Sequence, residues 1–364
     1  MVPDPGRAGR NNRTETIGGQ VRFALDFLPA RPPPSKGPGA VSSNVQSVRH
    51  SEDVHHQATL LQAWEQDYIQ LHAGAFTGSL STFRLGAARL FSERMNRSVL
   101  QTGALPAGRL AFGLPVRAGG RSCICGEEVG ANSLLVFSGR SGFEFLSPDI
   151  FEFMGIEIDV NGFADPVFEA MLRQLDTVLS SGRRSLPIAG ARAAKLGRLL
   201  HGILHEEGLD LRLEELPAAA AAFSRGLVGW ILDMLQPAGT AEAGRSTIRH
   251  WDTINAIREL VADGQTCPVS VAELTVELGL SRRTLQNACQ EVVGLSPVQY
   301  LRALRLSEAR RMLQTDRPVT EAATQFGFWH LGYFSRDYRQ MFGELPSVTR
   351  AAAAQTGRRL PSGR

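Results

Sequence analysis

The side chains best suited to recognise another molecule are clustered just after Ser281. The sequence there runs Arg-Arg-Thr-Leu-Gln-Asn-Ala, so in a helix Leu285 would face the core while the polar residues face solvent. Arginine can bond bidentately to guanine, and glutamine or asparagine can do the same to adenine. The outward residues are therefore candidates for contacts with nucleic-acid bases: Arg282, Arg283, Gln286 and Asn287.

The elements that would position these residues follow a helix-turn-helix pattern over 270–293. Ser270 and Glu273 form a capping box that fixes the start of a first helix. Gly279 permits a tight turn, and Ser281 then caps a second helix. The second helix of such a unit lies in the major groove with its first turns against the bases.

The same plan recurs over 318–342, with a turn at Gly327 and a second helix that begins near His330. Between the two units, the sequence predicts a helix over Pro297–Gln314, about 16 residues and roughly 24 Å long. A rod of this length can hold two recognition helices about one DNA turn, ~34 Å, apart. We therefore expect two reading units in successive major grooves.

Several short motifs recur across 249–350, in register with both units. They are Leu274, residues 278–279, 281–285, 294, 296–297, 305–306, 309–310, 327–328 and 334–336, Tyr338, and residues 342–343 and 346–347. With these motifs, the block resembles the DNA-binding domain of AraC/XylS-type transcriptional regulators. Residues 282–288 and 327–332 are most similar to regulators of the ethanolamine-operon type. The resemblance implies a sequence-specific activator that binds double-stranded DNA and contacts RNA polymerase.

Carried over residue by residue, the family's base contacts fall on both recognition helices. In the first they fall on Arg283, Gln286 and Asn287, and in the second on Leu331, Gly332, Ser335 and Arg336. Leu331 and Gly332 offer no side-chain donor or acceptor, so we expect the first unit to carry most of the sequence information. Residues expected to contact phosphates are Arg282, Thr284, His330 and Arg339.

The rest of the chain predicts an α+β multidomain protein. Residues 1–57 are rich in proline and predict a disordered tail, and a helix is expected over 57–72. Short apolar runs over 58–160 predict a sandwich or small barrel, helical periodicity follows over 161–236, and 237–248 and 351–364 read as a linker and a tail. The resemblance implies a cupin-like barrel that binds a small-molecule effector, and helices that pair two subunits as a homodimer.

Composition excludes several classes of protein. The 364 residues contain no apolar run of about 18 residues, which argues against a transmembrane helix, and no secretory signal is expected. Four cysteines make no disulfide framework and favour the reducing cytoplasm. The net charge is only +3, but residues 281–311 carry six arginines and two glutamates, or +4. We therefore predict a basic face on the first unit and the connecting helix.

No catalytic, metal or cofactor motif is evident. His201 and His205 would share a helix face, yet no third ligand is apparent, and Cys123 and Cys125 have the wrong spacing for zinc. Four phenylalanines are candidates either for the lining of an effector pocket or for the ordinary hydrophobic core: Phe83, Phe112, Phe137 and Phe145. Two alternatives remain open. One is an enzyme fused to the DNA-binding block, as in alkyl-accepting DNA-repair proteins that need a zinc-held cysteine set. The other is a structural DNA-binding module with no effector.

Overall fold

The computed structural model describes residues 47–139, 142–162, 166–179, 182–205, 217–235, 245–263 and 267–359. The strands are β1 Ser47–Ser51, β2 Glu65–Gln70, β3 Gly78–Leu85, β4 Ala88–Met95, β5 Val99–Ala104, β6 Arg109–Ala118, β7 Cys123–Ile124, β8 Glu127–Glu128, β9 Ser133–Ser138, β10 Phe143–Ser147, β11 Phe151–Asp159 and β12 Ser185–Pro187. The helices are α1 Val54–Leu60, α2 Pro166–Leu179, α3 Gly190–His205, α4 Pro217–Met234, α5 Arg245–Ala262, α6 Val271–Glu277, α7 Arg282–Val292, α8 Pro297–Gln314, α9 Val319–Gln325, α10 Leu331–Phe342 and α11 Pro346–Arg359.

The strands form two antiparallel sheets. The seven-stranded sheet has the order β1-β3-β4-β11-β6-β9-β12, and the five-stranded sheet has the order β2-β5-β10-β7-β8. Side chains alternate across β11, so Phe153 faces the other sheet while Ile156 and Ile158 face outward. Gly113 and Gly155 are required opposite this aromatic layer, because a Cβ on either would overlap the ring of Phe153 or Phe91.

Each sheet has a helical layer on its outer face. Helices α2, α3 and α4 cover the seven-stranded sheet and bury Phe168, Leu196 and Ile231 against it. The outer face of the five-stranded sheet packs against α5 and α7, where Ile69 and Leu100 share a core with Trp251, Ile254 and other residues. Helices α8, α9 and α10 build a separate core of their own. The sheet region thus supports the C-terminal helices directly.

Three sequence predictions at the ends of the domains are wrong. The predicted disordered tail includes residues 47–57, but β1 pairs with β3 there and Val54 is buried between the sheets. The helix predicted over 57–72 ends at Leu60, and β2 follows because Tyr68 and Ile69 pack on opposite faces of its sheet. The predicted tail over 351–364 is helical in α11 as far as Arg359.

Other predictions are met in part. The N-terminal region is rich in β-structure, but the strands described here form two open sheets rather than a closed barrel, so the cupin-like barrel is not confirmed. The predicted linker, 237–248, lies largely outside the described residues, and α5 begins within it at Arg245. Residues 1–46 also lie outside them. None of the described helices is both long and apolar enough to span a lipid bilayer.

Candidate nucleic-acid interface

The first helix-turn-helix unit is built on local capping. The Ser270 hydroxyl accepts a hydrogen bond from the Glu273 amide at 3.2 Å and so begins α6. The Glu273 carboxylate in turn accepts from the Val269 amide at 2.9 Å, one residue before the position that the predicted capping box requires. Gly279 has φ +61°, which an L-residue adopts only with strain. The predicted helix start and turn are both confirmed.

Helix α7 presents its polar residues to solvent as predicted. Ser281 accepts a hydrogen bond from the Thr284 amide at 3.1 Å, and Leu285 is completely buried. The residues that face solvent are Arg282, Arg283, Gln286 and Asn287. The Thr284 hydroxyl is half-buried and lies 2.8 Å from the Ser281 hydroxyl, so the structure gives it a part in the cap. An arginine-rich, capped first turn suits a helix that enters the major groove.

Helix α8 connects the two units and is strongly fixed at its start. Ser296 and Gln299 form a complete capping box, with Pro297 in the first turn. The helix has 18 residues, which corresponds to about 27 Å. Its inward residues include Tyr300 and Leu304 from one core and Leu306 and Leu313 from another. A single rigid helix therefore holds both reading units.

The second unit has a different recognition surface. No side chain caps α10, whose N-cap residue is His330. Phe334 and Tyr338 are buried, whereas Leu331 is 40% exposed and Gly332, Arg336 and Arg339 also face solvent. Ser335 is half-buried. The predicted residues of this unit therefore lie on one accessible helix, with few hydrogen-bonding groups at its beginning.

Two exposed aromatic residues were missed by the sequence prediction. Trp329 is 71% exposed and Tyr333 is 61% exposed, on either side of Leu331. The Arg336 guanidinium lies 5.1 Å from the centre of the Tyr333 ring. The spacing of Phe334, Tyr338 and Phe342 could have revealed this, because residues four apart define the buried face and leave Tyr333 outside it.

The predicted basic face is wrong for α8, because its four arginines form ion pairs or hydrogen bonds with other groups of the same molecule. Arg302 pairs with Asp337 of α10, and Arg305 donates to the Phe326 carbonyl at 2.6 Å. The remaining pairs are Arg310 with Asp53 and Glu344, and Arg311 with Asp67 and Glu308. Of the six arginines counted in 281–311, only Arg282 and Arg283 stay free of such pairs within the described residues.

Several of these contacts dock the C-terminal helices onto α1 and β2. The Arg310 guanidinium lies 2.7 Å from the Asp53 carboxylate, and His55 Nε2 lies 2.9 Å from the Ser307 hydroxyl. Burial lowers the pKa of His55 to about 4, assisted by the positive charge of Arg311. Burial raises the pKa of Asp53, but the charges of Arg310 and His55 and the hydrogen bonds from Arg310 and the His56 amide together outweigh it, so the net shift is downward.

The four phenylalanines considered as pocket or core residues all lie in the hydrophobic core. Phe83 and Phe112 are buried beneath the helical layer, and Phe137 and Phe145 are buried between the sheets. The rings of His201 and His205 lie 4.9 Å apart. Within the described residues, no group of three or more His, Cys, Asp or Glu side chains could hold a metal ion, and the four cysteines are free thiols.

Comparison with known proteins decides the nature of the C-terminal helices. Residues 274–352 match the family model described as a helix-turn-helix domain. This segment is a helix-turn-helix domain. The match includes α7 and α10 and therefore both groups of exposed residues described above.

The relatives of this helix-turn-helix domain are regulators of transcription. The chain is 38% identical over 84 residues to a probable thc operon regulatory protein of Rhodococcus erythropolis, which covers 22% of this chain and 25% of that protein. It is 38% identical over 85 residues to the XylDLEGF operon transcriptional activator of Pseudomonas putida, which covers 22% and 26%. A solved structure of a probable AraC family transcriptional regulator from Rhodopseudomonas palustris is 35% identical, with 28% of this chain and 97% of that chain covered and a TM-score of 0.25.

The chain thus matches about a quarter of the length of these two curated relatives. Because these relatives are regulators, the comparisons favour a regulator over the fused-enzyme alternative. The similarity to the ethanolamine-operon type is not confirmed.

Proposed function

We propose that this protein is a sequence-specific, DNA-binding regulator of transcription that acts as an activator. One observation carries the proposal. A capped helix in a matched helix-turn-helix domain presents Arg283, Gln286 and Asn287 to solvent, and these side chains pair with guanine and adenine edges in the major groove.

The two units divide the contacts. Arg283, Gln286 and Asn287 read bases by hydrogen bonding, while Arg282 and Thr284 hold phosphates at the same groove. In the second unit Ser335 and Arg336 contact bases, and His330 and Arg339 contact phosphates. Leu331 offers an apolar contact for a thymine methyl group, and the exposed rings of Trp329 and Tyr333 extend this surface. Phosphate contacts position the domain, and base contacts supply specificity.

The remaining parts of the proposal rest on the family resemblance. The N-terminal region would be a cupin-like sensory domain for a small-molecule effector, in a regulator of the ethanolamine-operon type, and the helices over 161–236 would pair two subunits. RNA polymerase would be the protein partner at promoters, and the compartment would be the cytoplasm. The wide, direct packing of the five-stranded sheet against α5 and α7 supports communication between the two regions.

Selection from random DNA tests this function. The full-length protein is mixed with a library of duplexes, and bound duplexes are sequenced after several rounds. We expect an enriched site with two elements about 10 base pairs apart, because two recognition helices on one rod enter successive major grooves. Enrichment without any shared sequence would contradict specific recognition, and enrichment of a single element would contradict a reading role for the second unit.

A further inference from the structure

A large aromatic side chain is exposed just before the second recognition helix. Trp329 directly precedes the N-cap residue His330 and is 71% exposed. The chain has four tryptophans, and the other three are much less accessible, since Trp64 and Trp251 are buried and Trp230 is partly buried. Tryptophan is highly buried on average in folded proteins. An indole this exposed is therefore a candidate contact with another molecule.

The turn that carries Trp329 is held firmly from α8. The Arg305 guanidinium donates to the Phe326 carbonyl at 2.6 Å and lies 4.4 Å from the centre of the Phe328 ring. Gly327 has φ +74°, and a Cβ at this position would overlap the Arg305 guanidinium. A side chain presented by a fixed backbone loses less conformational freedom on binding than one on a flexible loop. The turn thus presents Trp329 in a geometry that is ready for contact.

The beginning of α10 has a cationic setting. The Tyr333 ring lies 5.9 Å from the His330 ring and 5.1 Å from the Arg336 guanidinium. The acidic residues of α9 and α10, two helices that are described throughout, both form ion pairs: Glu321 with Arg317, and Asp337 with Arg302. Exposed aromatic and basic groups without a free carboxylate among them favour a polyanion as the partner of this surface.

The place of Trp329 in the second unit determines which part of DNA it can reach. In a helix-turn-helix unit, the first turns of the recognition helix contact base edges in the major groove. Trp329 lies before α10 begins, so its indole is at the edge of the groove, where the sugar–phosphate backbone runs. The indole N–H is a donor, and phosphate oxygens are acceptors.

We propose that Trp329 contacts the sugar–phosphate backbone of double-stranded DNA at the edge of the groove that α10 enters. The ring lies against a deoxyribose, and Nε1 donates a hydrogen bond to a phosphate oxygen. Because the side chain is uncharged, the contact adds affinity on any sequence and releases no counterion. This inference rests on the proposed function, to which it adds a non-ionic contact that fixes the position of the second unit.

Quenching of tryptophan fluorescence by acrylamide tests the contact directly. It is measured on the full-length protein, with and without a saturating amount of a duplex selected by the protein. Because Trp329 is the most exposed of the four tryptophans, it should dominate the quenching of the free protein. We expect the duplex to lower the quenching constant of wild type by roughly half or more, because the contact covers much of the ring. The duplex should leave the quenching of Trp329→Phe unchanged.

The dependence of affinity on salt distinguishes this contact from an ionic one. Trp329→Ala should weaken binding about tenfold on selected and random duplexes alike, with no change in the slope of log affinity against log salt. Arg339→Ala should instead flatten that slope by about 0.9. Val167→Ala, which shortens an exposed apolar side chain of α2, outside the helix-turn-helix domain, is the control and should change neither affinity nor slope.

The outcomes separate this contact from the proposed function. A wild-type protein that binds no duplex would overturn the regulator proposal and the contact with it. Full affinity in Trp329→Ala, or unchanged quenching of wild type on a bound duplex, would overturn the contact alone. Protection of Trp329 by RNA polymerase but not by duplex would also overturn it, in favour of a protein partner.

Discussion

The two helix-turn-helix units share a plan but differ in how they are held and in what they present. The first has a side-chain cap at Ser281 and presents arginine and amide groups, while its core is shared with the five-stranded sheet. The second has no side-chain cap and presents Trp329, Leu331 and Tyr333, while its core is formed among α8, α9 and α10.

This difference separates two ways of contacting DNA. Hydrogen-bonding groups at the beginning of α7 distinguish one base pair from another, whereas apolar groups at the beginning of α10 distinguish only a thymine methyl or the shape of the groove. A duplicated unit can thus keep its fold while one copy supplies specificity and the other supplies area and orientation. The predictions below test this division, from the largest expected effect to the smallest.

The second unit depends on one buried arginine. Arg310 is 5% exposed, pairs with Asp53 and Glu344 and lies 3.0 Å from the Tyr338 hydroxyl. Arg310→Ala leaves the half-buried carboxylates of Asp53 and Glu344 without this cation, and we expect a loss of about 2–3 kcal/mol in stability. Amide hydrogen exchange should show the loss in α9, α10 and α11 before α6 and α7. Arg282→Ala, a change at an exposed position of the first unit, is the control and should alter stability by less than about 0.5 kcal/mol.

The docking of α8 should also weaken in acid. The pKa of His55 is about 4 in the folded protein against 6.5 when it is solvated, because burial and the charge of Arg311 disfavour its protonation. A depressed folded pKa means that the contact is fully stable above pH 6.5 and weakens as the pH falls towards 4. The loss at pH 5 should be about 2 kcal/mol.

Hydrogen exchange in α1 and α8 at pH 7 and pH 5 measures this loss. His55→Gln should flatten the pH dependence, with His56→Gln, a neighbouring exposed histidine, as the control. The Asp53 carboxylate at the start of the same helix and the Arg310 guanidinium of α8 also act on His55. A pH dependence that survives in His55→Gln would assign the effect to one of those groups instead.

The features that could be predicted from sequence are the local ones. Ser270, Gly279 and Ser281 act within one helical turn of their position, so residue type alone places the first unit. The fate of the α8 arginines could not be predicted in the same way. Arg310 finds Asp53 and Arg311 finds Asp67 across more than 240 residues of chain, and no local pattern records such a partner.

Prediction of the sheet region was also limited to local features, because sequence patterns do not reveal partners that are distant in the chain. Turn residues and apolar alternation place most strands, but β1 forms only because Ser47–Ser51 pairs with a strand some 30 residues away. Its sequence, Ser-Val-Arg-His-Ser, has too few apolar residues to stand out beside a proline-rich segment.

Paired substitutions, one in each unit, test whether the first unit supplies most of the base recognition. Arg283→Ala should cost about 1–3 kcal/mol on the selected site and relax the preference at one base pair. Leu331→Ala should cost about 1 kcal/mol, the size expected for an apolar contact with one methyl group. Replacing thymine by uracil under the second unit should weaken wild type and leave Leu331→Ala unaffected. Equal losses for Arg283→Ala on specific and random duplexes would remove Arg283 from base reading.

The prediction with the smallest expected effect tests whether both units contact DNA in the same complex. Arg282 and Arg339 are exposed arginines, one on each recognition helix, with no ion pair in the described part of the chain. Each phosphate contact contributes about 0.9 to the slope of log affinity against log salt. Arg282→Ala and Arg339→Ala should therefore each flatten the slope by about 0.9, and the double variant by about 1.8. An unchanged slope for Arg339→Ala would mean that the second unit does not contact the DNA backbone. The two units would then differ in whether they bind DNA at all, rather than in the side chains with which they contact it.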